Sequence, residues 1–470
     1  MYDVIIVGAG PAGIFAALEL LKQNNRKILI LEQGPDLNKR VCVARTKARG
    51  CTICHPCGIT AGWGGAGAFS DGKLTLTPEI GGWLDEYIGR ERLVELIDYV
   101  DSVYLEFGAP DHVHGDDPKE IARIRRQAIK AELILVAARI RHMGTDRCAK
   151  VLEKMREFIG ARAEVSTKTA VERILVEDGR VVGVLLKDGK RIEAGRVIVA
   201  PGREGADWLA DEAKRLGLDT RNNAVDIGVR VEVPAAVTEN LTRALYEAKL
   251  VFTSRSFQDK VRTFCMNPHG FVSPELNGDV ILVNGHSYSD RLTENTNFAL
   301  LVSTTFTEPF REPTAYGKYI ARLANLLGGG IIVQTLGDLQ LGRRSTETRI
   351  AKSIVKPTLA GATPGDLSFV LPYRYISDIK EMLEALDKLA PGIDSRNTLL
   401  YGVEAKFYSS RLKLTPELET EIAGLYAVGD GAGITRGLIQ SSCSGVIAAR
   451  AILEKQRNRD ERSRETENKE

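Results

Sequence analysis

The chain has 470 residues, enough for two domains, or for one domain carrying a large insertion, around a sizeable core. Apolar residues make up 43% and charged ones 27%, the balance of a soluble globular protein, and the net charge of +2 gives no reason to invoke a nucleic acid or a membrane as partner. The longest apolar stretch, 131–140, is too short to cross a bilayer, and an apolar strand starting at residue 2 leaves no room for a leader, so a cytoplasmic location is expected, with the seven cysteines reduced or bound.

In chain order, the strand-like run 2–7 leads straight into Gly8-Ala9-Gly10-Pro11-Ala12-Gly13, a G-x-G-x-x-G turn that opens a helical stretch at 14–23. The glycines let the backbone turn tightly and approach a pyrophosphate, whose charge suits the amides and dipole of the helix start. The next strand, 27–31, ends in Glu32 with Gln33 beside it, about 20 residues past the last glycine, where an acidic side chain accepts hydrogen bonds from ribose hydroxyls. A phosphate on that ribose would be repelled, so FAD or NAD is favoured over NADP.

A cysteine-rich loop follows, with Cys42 and then Cys51, Cys54 and Cys57 at C-x2-C-x2-C spacing. Three readings stay open: ligands of an iron-sulfur or zinc centre with Cys42 as fourth, redox thiols among basic neighbours, or buried packing. The basic residues Lys39, Arg40, Arg45, Lys47 and Arg49 read as contacts to a pyrophosphate, with Arg40 the best placed, as a dock for an acidic electron carrier, or as a solvated face. Gly64-Gly65-Ala66-Gly67 comes next, and so many glycines suit a backbone that must approach a flat ring closely. Asp71 and Lys73 are near enough along the chain to reach a ring or a substrate.

Residues 80–160 are helical by pattern, with apolar spacing over 90–107, 118–140 and 146–159. The runs 165–177, 181–187 and 196–202 read as strands joined by hairpins, the last ending in Ala200-Pro201-Gly202. Residues 220–400 mix strands at 226–233 and 279–284 with helices at 313–327 and 375–389. They carry the candidate proton donors Cys265, His269 and His286, to which Lys73 is added, and Arg343-Arg344 as an anion contact or structural ion pair. A short strand ends at Gly429-Asp430, a helix follows over 438–453, and the polar stretch 456–470 reads as a fraying helix end and flexible tail. No second strand-turn-helix unit of the G-x-G-x-x-G type follows, so no separate nicotinamide-binding domain is expected. Electrons then come from transiently bound NAD(P)H, a protein donor, or the substrate.

The segment 424–430 resembles the second FAD motif of glutathione-reductase-like flavoproteins, and 165–202 resembles their β-meander and Ala-x-Gly strand end. The resemblance implies FAD, with Asp430 on the ribityl chain, Gly437 and Leu438 under the flavin edge, and the backbone of Val171 beside the adenine. More specifically, 64–74, 261–266, 284–291, 401–410 and 429–437 resemble a prokaryotic family known only as uncharacterised FAD-dependent dehydrogenases. More distantly, the layout is similar to bile-acid-type ene reductases and aromatic hydroxylases.

The expected fold is α/β, a three-layer Rossmann-like FAD-binding domain with a β-meander. It is discontinuous over 1–80, 160–220 and 400–455, with a helical insertion at 80–160 and an α+β substrate domain at 220–400. The expected activity is an FAD-dependent oxidoreductase passing a hydride to or from a C–C or C–N bond of a small molecule. A flavin mono-oxygenase and a non-enzymatic binding module on the same fold are the alternatives.

Overall fold

The computed structural model describes the chain except residues 24–25, 43–53, 71, 222, 289–290, 307–309, 311, 408–410 and 468–470. The chain forms two compact units. The first comprises Met1–Asp111, Arg141–Arg221 and Ser409–Glu470, the second His112–Ile140 and Asn222–Tyr408.

The first unit is built on a five-stranded parallel sheet of β1 (Val4–Val7), β2 (Ile28–Glu32), β3 (Glu164–Thr167), β4 (Val197–Val199) and β5 (Leu425–Ala427). Its spatial order is β5-β4-β1-β2-β3. Strands β1, β2, β4 and β5 are buried along their whole length, which is why they read as unbroken apolar runs. Helix α1 (Pro11–Leu20) follows β1, with proline in its first turn where no intrahelical amide is needed. Helix α3 (Leu438–Glu467) packs along α1 so closely that a Cβ on Gly445 would lie 2.0 Å from the Ala12 carbonyl oxygen. Between them in sequence lies α2 (Thr145–Gly160). A meander of Val171–Glu177, Arg180–Leu186 and Arg191–Glu193 completes this α/β unit.

Three expectations need correction. The stretch 165–177 is not one strand. Lys168 takes a left-handed conformation (φ 55°) that ends β3, and the meander begins at Val171. The helix expected over 118–140 stops at Lys130, where Glu132 (φ 63°) turns the chain into the strands Ile134–Val136 and Ile140–His142. Residues 80–160 therefore form no separate helical insertion, since 112–140 fold into the second unit and Ile134–Val136 pairs there with Lys249–Thr253. Finally, α3 continues as far as Glu467, well past the helix end expected at 453, through most of the stretch expected to be a fraying helix end and solvated extension.

The second unit is an eight-stranded, mostly antiparallel sheet. Its central strand, Val225–Pro234, alternates strictly. Val225, Ile227, Val229, Val231 and Val233 enter a core shared with the helices Ala235–Leu245, Pro313–Gly328 and Tyr373–Leu389. The intervening Asp226, Arg230 and Glu232 share the opposite face, and all three are buried.

Candidate functional site

The G-x-G-x-x-G turn sits at the carboxyl end of β1, where open parallel sheets carry their ligands. Gly8 (φ 107°) lies under Ala200, and a Cβ there would come within 2.1 Å of the Ala200 carbonyl oxygen. A Cβ on Gly13 would fall 2.0 Å from the Gly8 oxygen, so these two glycines are dictated by packing. Gly10 differs, since the nearest atom to its missing Cβ is the Gly65 Cα at 3.9 Å. The first amides of α1, including those of Ala12 and Gly13, have no intrahelical acceptor, as at any helix start.

Glu32 is buried at the end of β2 and gathers three backbone amides. Oε2 accepts from Ala9 (2.9 Å), and Oε1 accepts from Gly34 (2.8 Å) and Gly62 (2.9 Å). A carboxylate offers about four acceptor positions, so one remains, on Oε2. Gln33 beside it is half-buried.

The glycine loop folds over the turn. The Gly64 amide donates to Ala9 O (2.8 Å), Gly65 to Phe69 form a short 3-10 helix, and a Cβ on Gly67 would lie 2.6 Å from Leu438 Cδ2. Buried Trp63 anchors the loop to α2 through its indole N–H and the Leu152 oxygen (2.9 Å). Thus Gly10, Pro11, Gly64, Gly65, Gly67 and Leu438 are brought together, with Ala66 half-exposed on the loop. Arg40, expected at a pyrophosphate, is instead buried and directs four N–H groups at the carbonyl oxygens of Gly58, Ile59, Trp63 and Gly65.

At the other end of the chain, Gly429 (φ 78°) and Asp430 follow β5. Thr435 Oγ1 donates to Asp430 Oδ1 (2.9 Å). Burial pushes the Asp430 carboxyl pKa up, with Arg436 and Arg203 opposing the shift. A Cβ on Gly431 would meet Gly202 O at 2.6 Å, so Gly202 and the Gly429-Asp430 turn are neighbours. Val171 opens the meander, paired with Leu186.

Sequence reasoning missed the segment 78–83, which runs along the start of α3. Trp83 N donates to Ile434 O (2.9 Å), and Gln440 Nε2 reaches the Pro78 and Ile80 oxygens (3.3 and 3.2 Å). The signal was Gly81-Gly82, both at positive φ.

Of the cysteine loop, Cys51 lies outside the described residues, as do Arg45, Lys47, Arg49 and Asp71. Cys54 is exposed, and Cys42 and Cys57 are half-buried. Among the described residues no three His, Cys, Asp or Glu side chains are grouped to hold a metal. The Cys57 amide and the Thr60 hydroxyl both donate to Glu204 (3.4 and 2.6 Å).

Of the candidate proton donors, Lys73 is half-buried on the strand Lys73–Thr75 of the first unit. The other three lie in the second unit. Cys265 sits at a break in strand register with φ 49°, an uncommon conformation for a side-chain-bearing residue. His269 is exposed with Nδ1 2.9 Å from Thr293 O, and His286 ends the strand Val280–His286.

What the sequence did not reveal is the ionic hub beside Cys265. Arg230 and Glu404, both fully buried, form a bidentate pair (2.7 and 2.8 Å). Arg230 Nη1 also donates to Cys265 O (3.0 Å) and Asn297 Oδ1 (2.9 Å), and Lys406 lies 3.2 Å from Glu404 and 3.4 Å from Glu275. The charges of Glu275 and Glu404 raise the Lys406 pKa against a desolvation that lowers it, so it stays cationic. The even positions of the Val225–Pro234 alternation were the available signal.

Two family models match the chain: "FAD binding domain" over residues 3–45 and "FAD-dependent protein, C-terminal domain-like" over 224–407. An uncharacterised protein of Clostridium beijerinckii is 30% identical over 474 residues, covering 96% of this chain and 80% of that protein. Among solved structures, formate oxidase of Aspergillus oryzae aligns at 14% identity with a TM-score of 0.45, over 97% of this chain and 99% of that one. L-proline dehydrogenase of P. horikoshii aligns at 11% identity with a TM-score of 0.39, over 96% and 93%. Among the described residues, no helix is long and apolar enough to cross a membrane.

Proposed function

The chain belongs to the family of FAD-dependent proteins, and from that premise we propose an oxidoreductase that passes a hydride to or from a C–C or C–N bond of a small molecule. The observation that carries this reading is the glycine cradle at the carboxyl ends of β1, β4 and β5. A methyl group at Gly8, Gly13 or Gly431 would strike protein backbone, whereas at Gly10 nothing lies closer than 3.9 Å, and at Gly202 and Gly437 nothing lies within 4 Å. Backbone left open in this way, inside a turn that is otherwise tightly packed, fits an extended dinucleotide.

On this reading the turn Gly8–Gly13 holds the pyrophosphate, and the remaining acceptor of Glu32 takes the adenosine ribose. Asp430 takes the ribityl chain, the Val171 backbone flanks the adenine, and Gly64–Gly67 with Gly437 and Leu438 lie against the ring system. Bound FAD supplies the two-electron chemistry, while the protein supplies orientation, exclusion of water and a proton. Lys73, Cys265, His269 and His286 are the proposed holders of that proton. Electrons enter from transient NAD(P)H, a protein carrier or the substrate, and the cysteine loop is read as a relay, by metal or by thiols. Anaerobic iron, sulfide and zinc analysis with a dithionite titration separates these two relays.

The decisive test is Gly10→Val. Because a Cβ at Gly10 would meet no protein atom closer than the Gly65 Cα at 3.9 Å, the variant should fold as the wild type does yet retain less than a tenth of its flavin, measured by visible absorbance against circular dichroism. Stoichiometric FAD in this variant would sink the assignment of the turn.

A further inference from the structure

The loop 58–67, which the proposed function lays over the cofactor, makes backbone turns at Thr60, Ala61 and Gly65 and is tied to Pro35 and Ala9 through the amides of Trp63 and Gly64, and side chains add to this. Two buried side chains of opposite charge hold it. Glu32 collects amide ends at Ala9, Gly34 and Gly62, and Arg40 collects carbonyl ends of the same loop. The Arg40 distances are 3.1 Å to Gly58, 2.5 Å to Ile59, and 2.7 and 2.8 Å from Nη1 to Trp63 and Gly65.

We propose that Arg40 is a positioning residue for the cofactor, acting through the loop rather than touching the pyrophosphate: its guanidinium ties the exit of the cysteine loop to the curve that seats Gly64–Gly67 over Gly10. The proposal rests on the assignment of FAD to this site.

Four observations carry it. A guanidinium has five N–H donors in a rigid fork, and four of them are committed to the loop. The Phe69 ring, 4.7 Å from Arg40 Cζ, covers the guanidinium, whose residue is 6% exposed. Gly62 (φ 115°) has to be glycine there, because a Cβ would come within 2.5 Å of the Pro35 oxygen and 2.8 Å of Arg40 Cδ, so the Arg40 side chain packs directly against the loop backbone. Gly58 and Ile59 directly follow Cys57, so the same side chain grips both ends of the segment between the cysteines and the glycines. Burial lowers the Arg40 pKa to about 10, with the Glu32 charge opposing, so it remains a cation at neutral pH. Lysine would keep the charge but, as a point donor on a flexible stem, has no fork to span oxygens at 58–59 and at 63–65.

The test compares FAD with ADP, which carries the same pyrophosphate and ribose but no flavin ring. Apo-protein is titrated with each ligand in the wild type, Arg40→Lys and Arg40→Ala, and the visible spectrum of bound FAD is recorded. We expect Arg40→Lys to weaken FAD at least tenfold and ADP less than threefold, with the residual flavin spectrum moving toward that of free FAD. Guanidinium ion added to Arg40→Ala should restore FAD affinity. Parallel losses for ADP and FAD would overturn the proposal in favour of a direct phosphate contact, and so would unchanged FAD affinity and spectrum in both variants. Arg40→Lys keeps the question open to refutation even if Arg40→Ala does not fold. A wild type that binds neither ligand overturns the FAD assignment itself, an outcome distinct from wild-type binding with unaffected variants.

Discussion

Arg230 ties distant stretches of the second unit together. Its guanidinium joins Cys265, Asn297 and Glu404, so three stretches far apart in sequence meet at one side chain that has no exposure. Removing one partner of such a pair leaves the other charge buried and unpaired, which costs about 3–5 kcal/mol, whereas an apolar replacement of both costs far less. Arg230→Met should therefore destabilise strongly in urea denaturation, and Arg230→Met with Glu404→Leu should recover most of the loss. Asp378 on the helix Tyr373–Leu389 is a second buried charge, set beside Asp259 and Ser254, with Arg374 paired to Asp259. Burial, then the Asp259 carboxylate, push its pKa up to about 6. A carboxyl raised in the folded state contributes stability below its ordinary value near 3.8 and loses that contribution as pH rises through about 6. Asp378→Asn should thus flatten the stability profile between pH 4 and 6 and gain up to about 3 kcal/mol at pH 7, read from denaturation at several pH values. A variant with an unchanged profile would remove Asp378 from this role.

At the scale of elements, the packing of α1 on α3 controls the turn that precedes α1. Gly445 permits that approach, and Gly445→Ala would press on the Ala12 carbonyl. Overpacking of this kind costs about 1–3 kcal/mol, and because α1 cannot shift without moving Gly8–Gly13, flavin retention should fall together with thermal stability. A stability loss with undiminished FAD affinity would separate the two. The long strands and amphipathic helices were legible: the runs at 226–233 and 313–327 appear as Val225–Pro234 and Pro313–Gly328. Breaks at Lys168 and Glu132 were not, because both are side-chain-bearing residues in a left-handed conformation. Neither residue type announces it, whereas a glycine would have done so.

At the scale of the molecule, each unit has an apolar core of its own. A ligand that binds one folded unit stabilises it by about 2.7 kcal/mol at a hundred times its dissociation constant. Added FAD should then raise hydrogen-exchange protection mainly in 1–111, 141–221 and 409–470, and equal gains in 224–407 would contradict the placement of the cofactor. The local chemistry was legible from the chain alone. The G-x-G-x-x-G turn needs only adjacent residues to be recognised, Glu32 follows it at a characteristic distance, and Gly429-Asp430 closes a strand, because turn geometry and strand burial leave their mark on neighbouring positions. Which side chains answer one another across long separations became visible only once the chain was folded. That Arg40 turns to its own loop, that 78–83 lies along α3, and that Arg230 meets Glu404 depend on pairings between distant segments. Such pairings are set by sheet register and by the need of buried charges for partners, and neither leaves a periodic trace in the chain.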